Sequence, residues 1–257
     1  MTKTALITGS TSGIGLGIAT IMAKAGYNIM LNGFGDKKEI EQIQFDLAKN
    51  GVKVAYSNAD MTKHKQIAKM ISETVKKLGG IDVLINNAGI QHVDYIEDFP
   101  DGKWDAVISI NLSSAFHTIK HSIPIMKKNG SGRIINIASA HGLVASAKKS
   151  AYVAAKHGIV GLTKVVALET ATDNITCNAI CPGWVLTPLV QKQIEAIAKN
   201  DKITVKEAEI KLLSEKQPAK EFVKVDQIGE LVLHLCSDGA RTIAGTSLSI
   251  DGGWTAQ

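Results

Sequence analysis

Short, uniformly apolar segments alternate with longer helical patterns along nearly the whole chain, and this alternation constrains the fold more than any other feature. We predict strands at residues 4–8, 28–31, 53–56, 82–85, 133–137, 176–180 and 247–250. Helical patterns lie near residues 14–25, 38–49, 63–78, 103–128, 150–172 and 225–237. Strands without polar alternation are typical of a parallel sheet that helices cover on both faces. The alternation therefore predicts a doubly wound α/β fold with a seven-stranded parallel sheet.

Length and composition indicate a single domain. A chain of 257 residues with 45% apolar and 21% charged residues can bury one large core. We find no linker, internal repeat or low-complexity tract, so we assign residues 1–257 to one domain. The net charge of +5 comes from scattered basic residues. Such scatter argues against nucleic-acid binding and suits a small anionic ligand.

Neither the cysteines nor the apolar N-terminal stretch indicates export. Cys177 and Cys181 lie on one predicted strand, roughly 13 Å apart along it, which is too far for a disulfide. With Cys236 they are expected to be buried, reduced thiols. Residues 4–23 carry no charge, but the polar segment 8–13 leaves apolar pieces too short to span a membrane. We therefore expect a cytoplasmic protein without membrane contact.

Residues 188–223 interrupt the alternation. They are charged and helical, and they contain no predicted strand. The segment begins just after the sixth strand, at the edge where open α/β sheets bind ligands. We interpret it as a mobile helical lid. A solvated surface excursion is the alternative.

A glycine-rich segment, Thr8-Gly-Ser-Thr-Ser-Gly-Ile-Gly15, joins the first predicted strand to the first helix. Glycines allow a tight turn and let backbone amides approach a pyrophosphate, and the helix N-terminus adds partial positive charge. This position predicts a dinucleotide site in a Rossmann-type domain. The candidate residues are Gly9, Thr11, Gly13, Ile14 and Gly15.

Two further strand ends are expected in the same crevice. Asp60 and Met61 follow the third strand, where a carboxylate can meet the adenine amino group. Asn87 and Gly89 belong to Asn86-Asn-Ala-Gly89 after the fourth strand. Small residues there leave room for a flat ring, and the asparagine side chains can tie neighbouring strands together.

The end of the second strand bears on the choice of cofactor. A carboxylate there usually bonds the ribose 2′-hydroxyl of NAD, whereas an arginine suits the 2′-phosphate of NADP. Neither stands at the expected position, where Asn32 and Phe34 can pack on the adenosine. No basic residue follows Gly9, although Lys37 and Lys38 lie slightly downstream. The pattern favours NAD.

The chemistry is predicted to reside in Tyr152-Val-Ala-Ala-Lys156, thirteen residues after Ser139. Residues four apart share one face of a helix, so the phenol and the ammonium can share a pocket. A neighbouring cation lowers the pKa of a tyrosine, which then can exchange protons near neutral pH. Taken alone, this pair is also what an ordinary exposed helix contains.

Together these motifs resemble the short-chain dehydrogenase/reductase family. The features that carry the resemblance are Thr8-Gly-x-x-x-Gly-x-Gly15, Asn86-Asn-Ala-Gly89, Asn111, Ser139, Tyr152-x-x-x-Lys156 and Pro182-Gly183. Other segments resemble the members of that family that act on D-3-hydroxybutyrate. These are Asn32-Gly-Phe-Gly-Asp36, Gly89-Ile-Gln-His92, Ile96-Glu-Asp-Phe-Pro100, Ser139-Ala-His-Gly142, Cys181-Pro-Gly-Trp184, Leu213-Ser-Glu-Lys-Gln-Pro218 and Asp251-Gly-Gly-Trp-Thr255.

The resemblance implies hydride transfer between NAD and (R)-3-hydroxybutyrate or acetoacetate. Tyr152 would be the acid/base, and Lys156 would lower its pKa and hold the nicotinamide ribose. Ser139 would donate a hydrogen bond to the reacting oxygen, and Asn111 would hold a water that passes the proton outward. No metal is needed for this chemistry. The resemblance also implies cofactor contacts at Pro182, Gly183, Val185 and Thr187.

The substrate pocket is predicted to recognise a small carboxylate. Lys149 lies three residues before Tyr152 on nearly the same helical face, which supplies a fixed cation. Neutral donors are expected from Gln91, His141 and, in the lid, Gln193, and Trp184 can close over a short apolar tail. In the family members that this chain resembles, the matching Gln, His, Lys and Gln hold the carboxylate. Solvated side chains and a loop-stabilising histidine are the alternatives.

His117 and His121 form an i, i+4 pair that could suggest zinc, but no third ligand is evident in the sequence. We expect histidines on a helix surface or at a subunit contact. The family resemblance implies a homotetramer built through the helices at 103–128 and 150–172. It also raises a metal or subunit contact at Gln257.

Two other functions are consistent with part of the pattern. A 3-oxoacyl thioester reductase using NADPH would need basic residues near Gly9 or the end of the second strand. It would also need a pocket open to a long thioester arm, and a buried Lys149 at the floor of the pocket argues against such an opening. A non-catalytic nucleotide-sensing protein could dispense with Ser139, Tyr152 or Lys156, and all three are present.

Overall fold

The computed structural model describes residues 2–256, except for the side chain of Leu189. Within this range seven strands form one parallel sheet in the order β3-β2-β1-β4-β5-β6-β7. Their bounds are β1 Thr4–Ile7, β2 Asn28–Asn32, β3 Val54–Ser57, β4 Val83–Asn86, β5 Gly132–Ile137, β6 Ile175–Pro182 and β7 Ser247–Ile250. The predicted seven-stranded parallel sheet is confirmed. Gln257 and its predicted metal or subunit contact lie outside the described residues.

Helices cover both faces of the sheet, as predicted. Their bounds are α1 Gly13–Lys24, α2 Lys37–Ala48, α3 His64–Leu78, α4 Asp101–Ile108, α5 Ser114–Asn129, α6 Ser150–Glu169, α7 Pro188–Asp201, α8 Val205–Lys216 and α9 Val225–Cys236. One apolar core joins α1, α2 and α9 to the sheet, and a second joins α3, α5 and α6 to the other face. Strand β1 illustrates the division, since Ala5 and Ile7 enter the first core and Leu6 the second.

The helix predicted over 103–128 is present, but it is not α-helical throughout. Residues Ser109–Ser113 form a π-helical turn between α4 and α5. A π turn adds a residue to the helical repeat and is frequent at functional sites. The apolar periodicity on either side of the turn concealed it in the sequence.

The predicted lid is a helical hairpin with its own small core. Helices α7 and α8 pack together through Val190, Ile194 and Ala208, and Trp184 packs against this cluster. A short bridge between Val185 and Val223 closes the base of the hairpin. The hairpin leaves the sheet beside the carboxyl end of β6, where the lid was predicted. Its closing motion remains a prediction.

Helix α6 is the one described helix that is long and apolar enough to pass a test for membrane spans. Buried helices of a protein core pass the same test, and Ala151, Ala155 and Lys156 on α6 are buried against neighbouring elements. The three cysteines are free and buried, as expected for reduced thiols.

Candidate active site

A large cleft opens at the carboxyl ends of the strands. Its volume is about 490 Å³, and nearly all of the predicted site residues line it. After β1 the chain continues to β2 on one side, and after β4 it continues to β5 on the other side. The crevice between β1 and β4 is therefore the topological switch point, where open α/β sheets bind ligands. Two predicted residues, Gly15 and Asn111, lie behind the wall of the cleft rather than in it. The lining includes Gly9, Thr11, Gly13, Ile14, Phe34, Asp60, Met61, Asn87, Gly89, Gln91, Ser139, His141, Lys149, Tyr152, Lys156, Pro182, Gly183, Trp184, Val185, Thr187 and Gln193.

The glycine-rich loop is held tightly against the end of β4. Gly9 adopts a φ of 61°, and a Cβ there would lie 2.8 Å from the Cα of Ala88. Asn87 Nδ2 donates hydrogen bonds to the carbonyl oxygens of Thr8 and Gly9, each at 2.9 Å. A Cβ on Gly15 would lie 2.3 Å from the carbonyl oxygen of Gly9. The loop thus leaves its outer side open to a ligand at the N-terminus of α1.

The far half of the cleft contains the residues predicted to contact the adenosine. Gly33 and Phe34 line it, and Phe34 is 67% exposed. Asp36 does not point into the cleft as a ribose ligand would, because its carboxylate caps α2 and accepts from Lys38 and Glu39 backbone amides. The lysines among the lining residues, Lys149 and Lys156, belong to the other half.

Asparagines join the strand ends beneath the cleft, as predicted. Asn86 Nδ2 donates to Asn136 Oδ1 at 2.8 Å, and Asn136 Nδ2 donates to Thr163 Oγ1 at 2.8 Å. Thr118 Oγ1 donates to Asn86 Oδ1 at 2.6 Å. These buried amides are satisfied by one another, which fixes β4, β5, α5 and α6 in register.

Ser139, Tyr152 and Lys156 converge at the centre of the cleft. Ser139 Oγ accepts the backbone N–H of His141 at 3.1 Å and is hydrogen-bonded to the Tyr152 side chain. Lys156 Nζ lies 5.6 Å from the centre of the Tyr152 ring and donates to the Ile137 carbonyl oxygen at 2.6 Å. The helix spacing therefore places the phenol and the ammonium in one pocket, as predicted.

The prediction that Lys156 lowers the pKa of Tyr152 is wrong for the protein without ligands. Burial raises the pKa of Tyr152, and the hydrogen bond with Ser139 opposes this only in part. Burial also lowers the pKa of Lys156 to about 8. The ammonium is bonded to the Ile137 carbonyl and approaches the ring rather than carrying a direct bond to the phenol oxygen, so desolvation dominates both groups.

Asn111 occupies the π-helical turn and is 2% exposed. Its Oδ1 accepts the Ile90 N–H at 2.8 Å, and its Nδ2 donates to the Ile90 carbonyl oxygen at 2.9 Å. The side-chain amide thereby holds the segment that leaves β4 toward Gln91. The predicted role of Asn111 in holding a water remains a prediction, and the contact with Ile90 adds a structural role.

The substrate half of the cleft contains a half-buried cation. Lys149 Nζ lies 5.0 Å from the centre of the Trp184 ring, and burial lowers the pKa of Lys149. Among the described residues no carboxylate forms an ion pair with Lys149. His141 is 4% exposed, and burial together with the charge of Lys149 lowers its pKa to about 3. His141 is therefore neutral, and its Nε2 is hydrogen-bonded to Ser146 Oγ at 2.9 Å, as the loop-stabilising alternative requires. Its predicted contact with the substrate carboxylate remains a prediction.

Sequence reasoning missed Trp254 as a site residue. This indole is 6% exposed and lines the cleft. Its ring centre lies 5.1 Å from that of His141 and 5.5 Å from that of Trp184. The segment Asp251–Thr255 was noted only as a resemblance, and its proximity to the lid depends on β7 pairing with β6.

The structure brings a third imidazole to the His117 and His121 pair. The ring centres of His64 and His117 lie 5.7 Å apart. Even so, no group of three side chains able to hold a metal ion occurs among residues 2–256.

Comparisons with known proteins agree with this geometry. A family model for short chain dehydrogenases matches residues 3–198. The chain is 58% identical to a D-beta-hydroxybutyrate dehydrogenase of Cupriavidus necator, over 99% of this chain and 98% of the relative. It is 57% identical to a D-beta-hydroxybutyrate dehydrogenase of Rhizobium meliloti over the full length of both. A crystal structure of actinorhodin polyketide ketoreductase with NADPH superposes with a TM-score of 0.93 at 32% identity, over 100% of this chain and 98% of that one.

The family match covers most of the chain and includes the glycine loop, Ser139, Tyr152 and Lys156. The full-length relatives extend the similarity through the lid and the C-terminal segment. The chain belongs to the short-chain dehydrogenase family.

Proposed function

We propose that the protein is a D-3-hydroxybutyrate dehydrogenase that oxidises (R)-3-hydroxybutyrate to acetoacetate reversibly, with NAD as cofactor. The observation that carries this proposal is Lys149. It is a half-buried cation that forms no ion pair among the described residues, in the same cleft as Tyr152. A carboxylate on Lys149 compensates the cost of burying the ammonium. The two full-length relatives named for this activity support the proposal.

The pocket has a distinct surface for each part of the substrate. The carboxylate lies at Lys149, with Gln91 and Gln193 as neutral donors. The oxygen on carbon three lies between Ser139 and Tyr152. The terminal methyl group packs against the aromatic wall of His141, Trp184 and Trp254. Because this wall closes the pocket, a short acid fits better than a long acyl thioester.

A nicotinamide cofactor held by the glycine loop and Lys156 would supply the acceptor or donor of the hydride. Tyr152 takes the hydroxyl proton during oxidation and returns it during reduction. Ser139 Oγ accepts from the His141 N–H, so its own O–H is the donor of the bond with Tyr152 and can turn to the reacting oxygen when substrate is bound. Lys156, protonated below its pKa of about 8, supplies positive charge beside the phenol during proton transfer.

The preference for NAD rests on the adenosine half of the cleft. None of the lining residues there is basic, and Asp36 is occupied in capping α2. A 2′-phosphate would lack the cation that it requires. The NADPH-dependent thioester reductase is disfavoured by the same feature and by Lys149.

Subunit association and location extend the proposal. A homotetramer through α5 and α6 is supported by apolar side chains that these helices expose, Phe116 at 47%, Val165 at 50% and Leu168 at 80%. A contiguous apolar patch formed by such residues would mark a contact between subunits. A cytoplasmic location fits the three buried thiols.

The test measures NADH or NADPH formation by absorbance. The substrates are (R)-3-hydroxybutyrate, its (S) enantiomer and 3-hydroxybutyryl thioester, each with NAD and with NADP. We expect rapid turnover only with the (R) acid and NAD. Preferred turnover of the thioester with NADP would contradict the proposal and favour the reductase. The absence of turnover with all of them would contradict the proposed activity.

A further inference from the structure

Gln217, directly after α8, carries a buried amide where three segments of the chain meet. Its side chain is 1% exposed. The Oε1 atom accepts the backbone N–H of Trp184 at 2.9 Å, and Nε2 donates to the carbonyl oxygen of Glu221. One side chain therefore joins the segment after β6 to the end of the lid.

The packing around Gln217 is close on both sides of these hydrogen bonds. A Cβ on Gly183 would lie 2.5 Å from Oε1, and a Cβ on Gly252 would lie 2.7 Å from Cγ. The backbone N–H of Ala219 also donates to the Gly252 carbonyl oxygen at 3.0 Å. The C-terminal turn that leads to Trp254 therefore packs on Gln217. A side chain larger than that of glycine at position 183 or 252 would clash with the Gln217 side chain.

Both indoles of the substrate wall depend on these contacts. Trp184 is the residue whose backbone Gln217 holds, and Trp254 follows Gly252 by two positions. Their rings lie 5.5 Å apart with an angle of 33° between the planes. The amide is too deeply buried to meet a substrate itself, so it acts through the position of the two rings.

We propose that Gln217 is a positioning residue that fixes Trp184 and Trp254 in the wall of the substrate pocket and couples them to the lid. The inference rests on the proposed function for its kinetic consequence but not for its spectroscopic one. A purely structural role would lower thermal stability without changing the geometry of the rings or the recognition of the substrate.

The experiment uses the full chain with Trp104→Phe, which leaves Trp184 and Trp254 as its two tryptophans. In this background we compare Gln217→Met with the matched control Gln191→Met. Gln191 lies on the same hairpin, and its amide bonds only the exposed Glu195 at 3.0 Å. The readouts are the circular dichroism couplet of the indole pair, KM and kcat for 3-hydroxybutyrate, and the Kd for NADH.

We expect Gln217→Met to lose most of the couplet well below its melting temperature. KM should rise about tenfold or more, because the buried N–H of Trp184 loses its acceptor and the indole shifts to relieve this. The value of kcat should fall less, and the Kd for NADH should change by less than about threefold. Gln191→Met should match the background in all four measurements. An unchanged couplet together with an unchanged KM would overturn the proposal.

Gln217→Glu serves if the methionine variant does not fold, and it separates the two hydrogen bonds. The carboxylate retains an acceptor for the Trp184 N–H but loses the donor to Glu221. We expect the couplet to persist while proteolysis of the segment 217–223 becomes faster than in the background. Loss of the couplet without faster proteolysis would overturn the coupling to the lid. If the parent chain does not oxidise 3-hydroxybutyrate, the proposed function fails, and the couplet still decides the role of Gln217.

Discussion

The ammonium of Lys149 lies 5.0 Å from the centre of the Trp184 ring, within the range of a cation–π contact. This contact offsets part of the cost of burial, which lowers the pKa of Lys149. It also holds the charge at the side of the pocket where the indole forms the wall. The pair thus combines an anion site with an apolar surface, which suits a small acid with a short tail.

Replacement of Lys149 should weaken substrate recognition selectively. We expect Lys149→Ala to raise KM for 3-hydroxybutyrate about thirtyfold or more, because the variant loses a partly buried charge pair with the carboxylate. The Kd for NADH should remain unchanged. The control is Lys148→Ala, since the neighbouring Lys148 is exposed and lies over the Tyr95 ring instead. Steady-state kinetics would contradict the assignment if both variants gave the same KM.

Much of this site followed from the sequence because its residues are fixed by local patterns. Tyr152 and Lys156 both lie on α6, and helix periodicity places them in one pocket. The glycine loop and Asn87 directly follow β1 and β4, so the ends of these strands place them. Lys149 was predicted on the same helical face as Tyr152, but it is the N-cap residue just before α6 and has a non-helical backbone. Trp254 was missed because it reaches the cleft only through the pairing of β7 with β6. The π turn at Asn111 was missed because its helix looks continuous in apolar periodicity.

The energetics of the site were harder to predict than its residues. The effect of Lys156 on Tyr152 was inferred from charge alone, whereas desolvation by the packed core reverses the direction for the phenol. The burial of Tyr152 depends on the packing of α6, β5 and β6 together, and no local sequence pattern predicts it. For the same reason Gln217 attracted no role in the sequence, where it is one more glutamine of the lid.

Tyr152→Phe should abolish turnover and preserve cofactor binding. The phenol is the proton donor and acceptor, and removal of such a group costs about 10²–10⁴-fold in kcat. Because burial raises the pKa of Tyr152, the oxidation rate of the parent enzyme should increase as the pH becomes alkaline. The control is Tyr95→Phe, a residue 52% exposed outside the cleft. Stopped-flow kinetics with an NADH titration would refute the role if Tyr152→Phe kept normal turnover.

Gly15→Ala should weaken dinucleotide binding although Gly15 does not line the cleft. Its Cβ would meet the Gly9 carbonyl oxygen at 2.3 Å and Asn87 Nδ2 at 2.5 Å, so the loop must shift. Overpacking of this size costs about 1–3 kcal/mol, and we expect the Kd for NADH to rise about tenfold or more. Gly161→Ala on α6 is the matched control, because no atom lies within 4 Å of its added Cβ. That control should gain about 0.5–1 kcal/mol of unfolding free energy and bind NADH normally; equal NADH affinity in the two variants would contradict the role of the loop.

Phe34→Arg should shift the cofactor preference toward NADP. Phe34 is 67% exposed at the adenosine end, so a guanidinium there can reach a 2′-phosphate without disturbing the core. A charge-assisted bidentate contact is worth about 1.5–3 kcal/mol. We expect the ratio of kcat/KM for NADP over NAD to rise at least about tenfold. Phe34→Gln is the control, because it removes the ring without adding a charge. An equal NADP-to-NAD ratio of kcat/KM in both variants would mean that the ribose 2′-position does not lie near residue 34.

Lys156→Met should alter how stability depends on pH. Burial lowers the pKa of Lys156 from 10.5 to about 8, so between these values the unfolded chain binds more protons at this residue than the folded chain. The stability contributed by Lys156 is therefore lost as the pH falls through about 8 and is recovered as it rises toward 10.5. The methionine variant lacks this dependence. Its free energy of unfolding relative to the parent should fall by up to about 3 kcal/mol as the pH rises through this window.

Urea denaturation at a series of pH values measures this difference, because other titrating groups largely cancel between variant and parent. The control is Lys164→Met, an exposed lysine on the same helix, which measures the effect of the same substitution without burial. A flat difference for Lys156→Met would mean that the ammonium is not desolvated. Water would then reach the Lys156 ammonium beside the Ile137 carbonyl. The ammonium would be screened, and its electrostatic effect on Tyr152 would be weak.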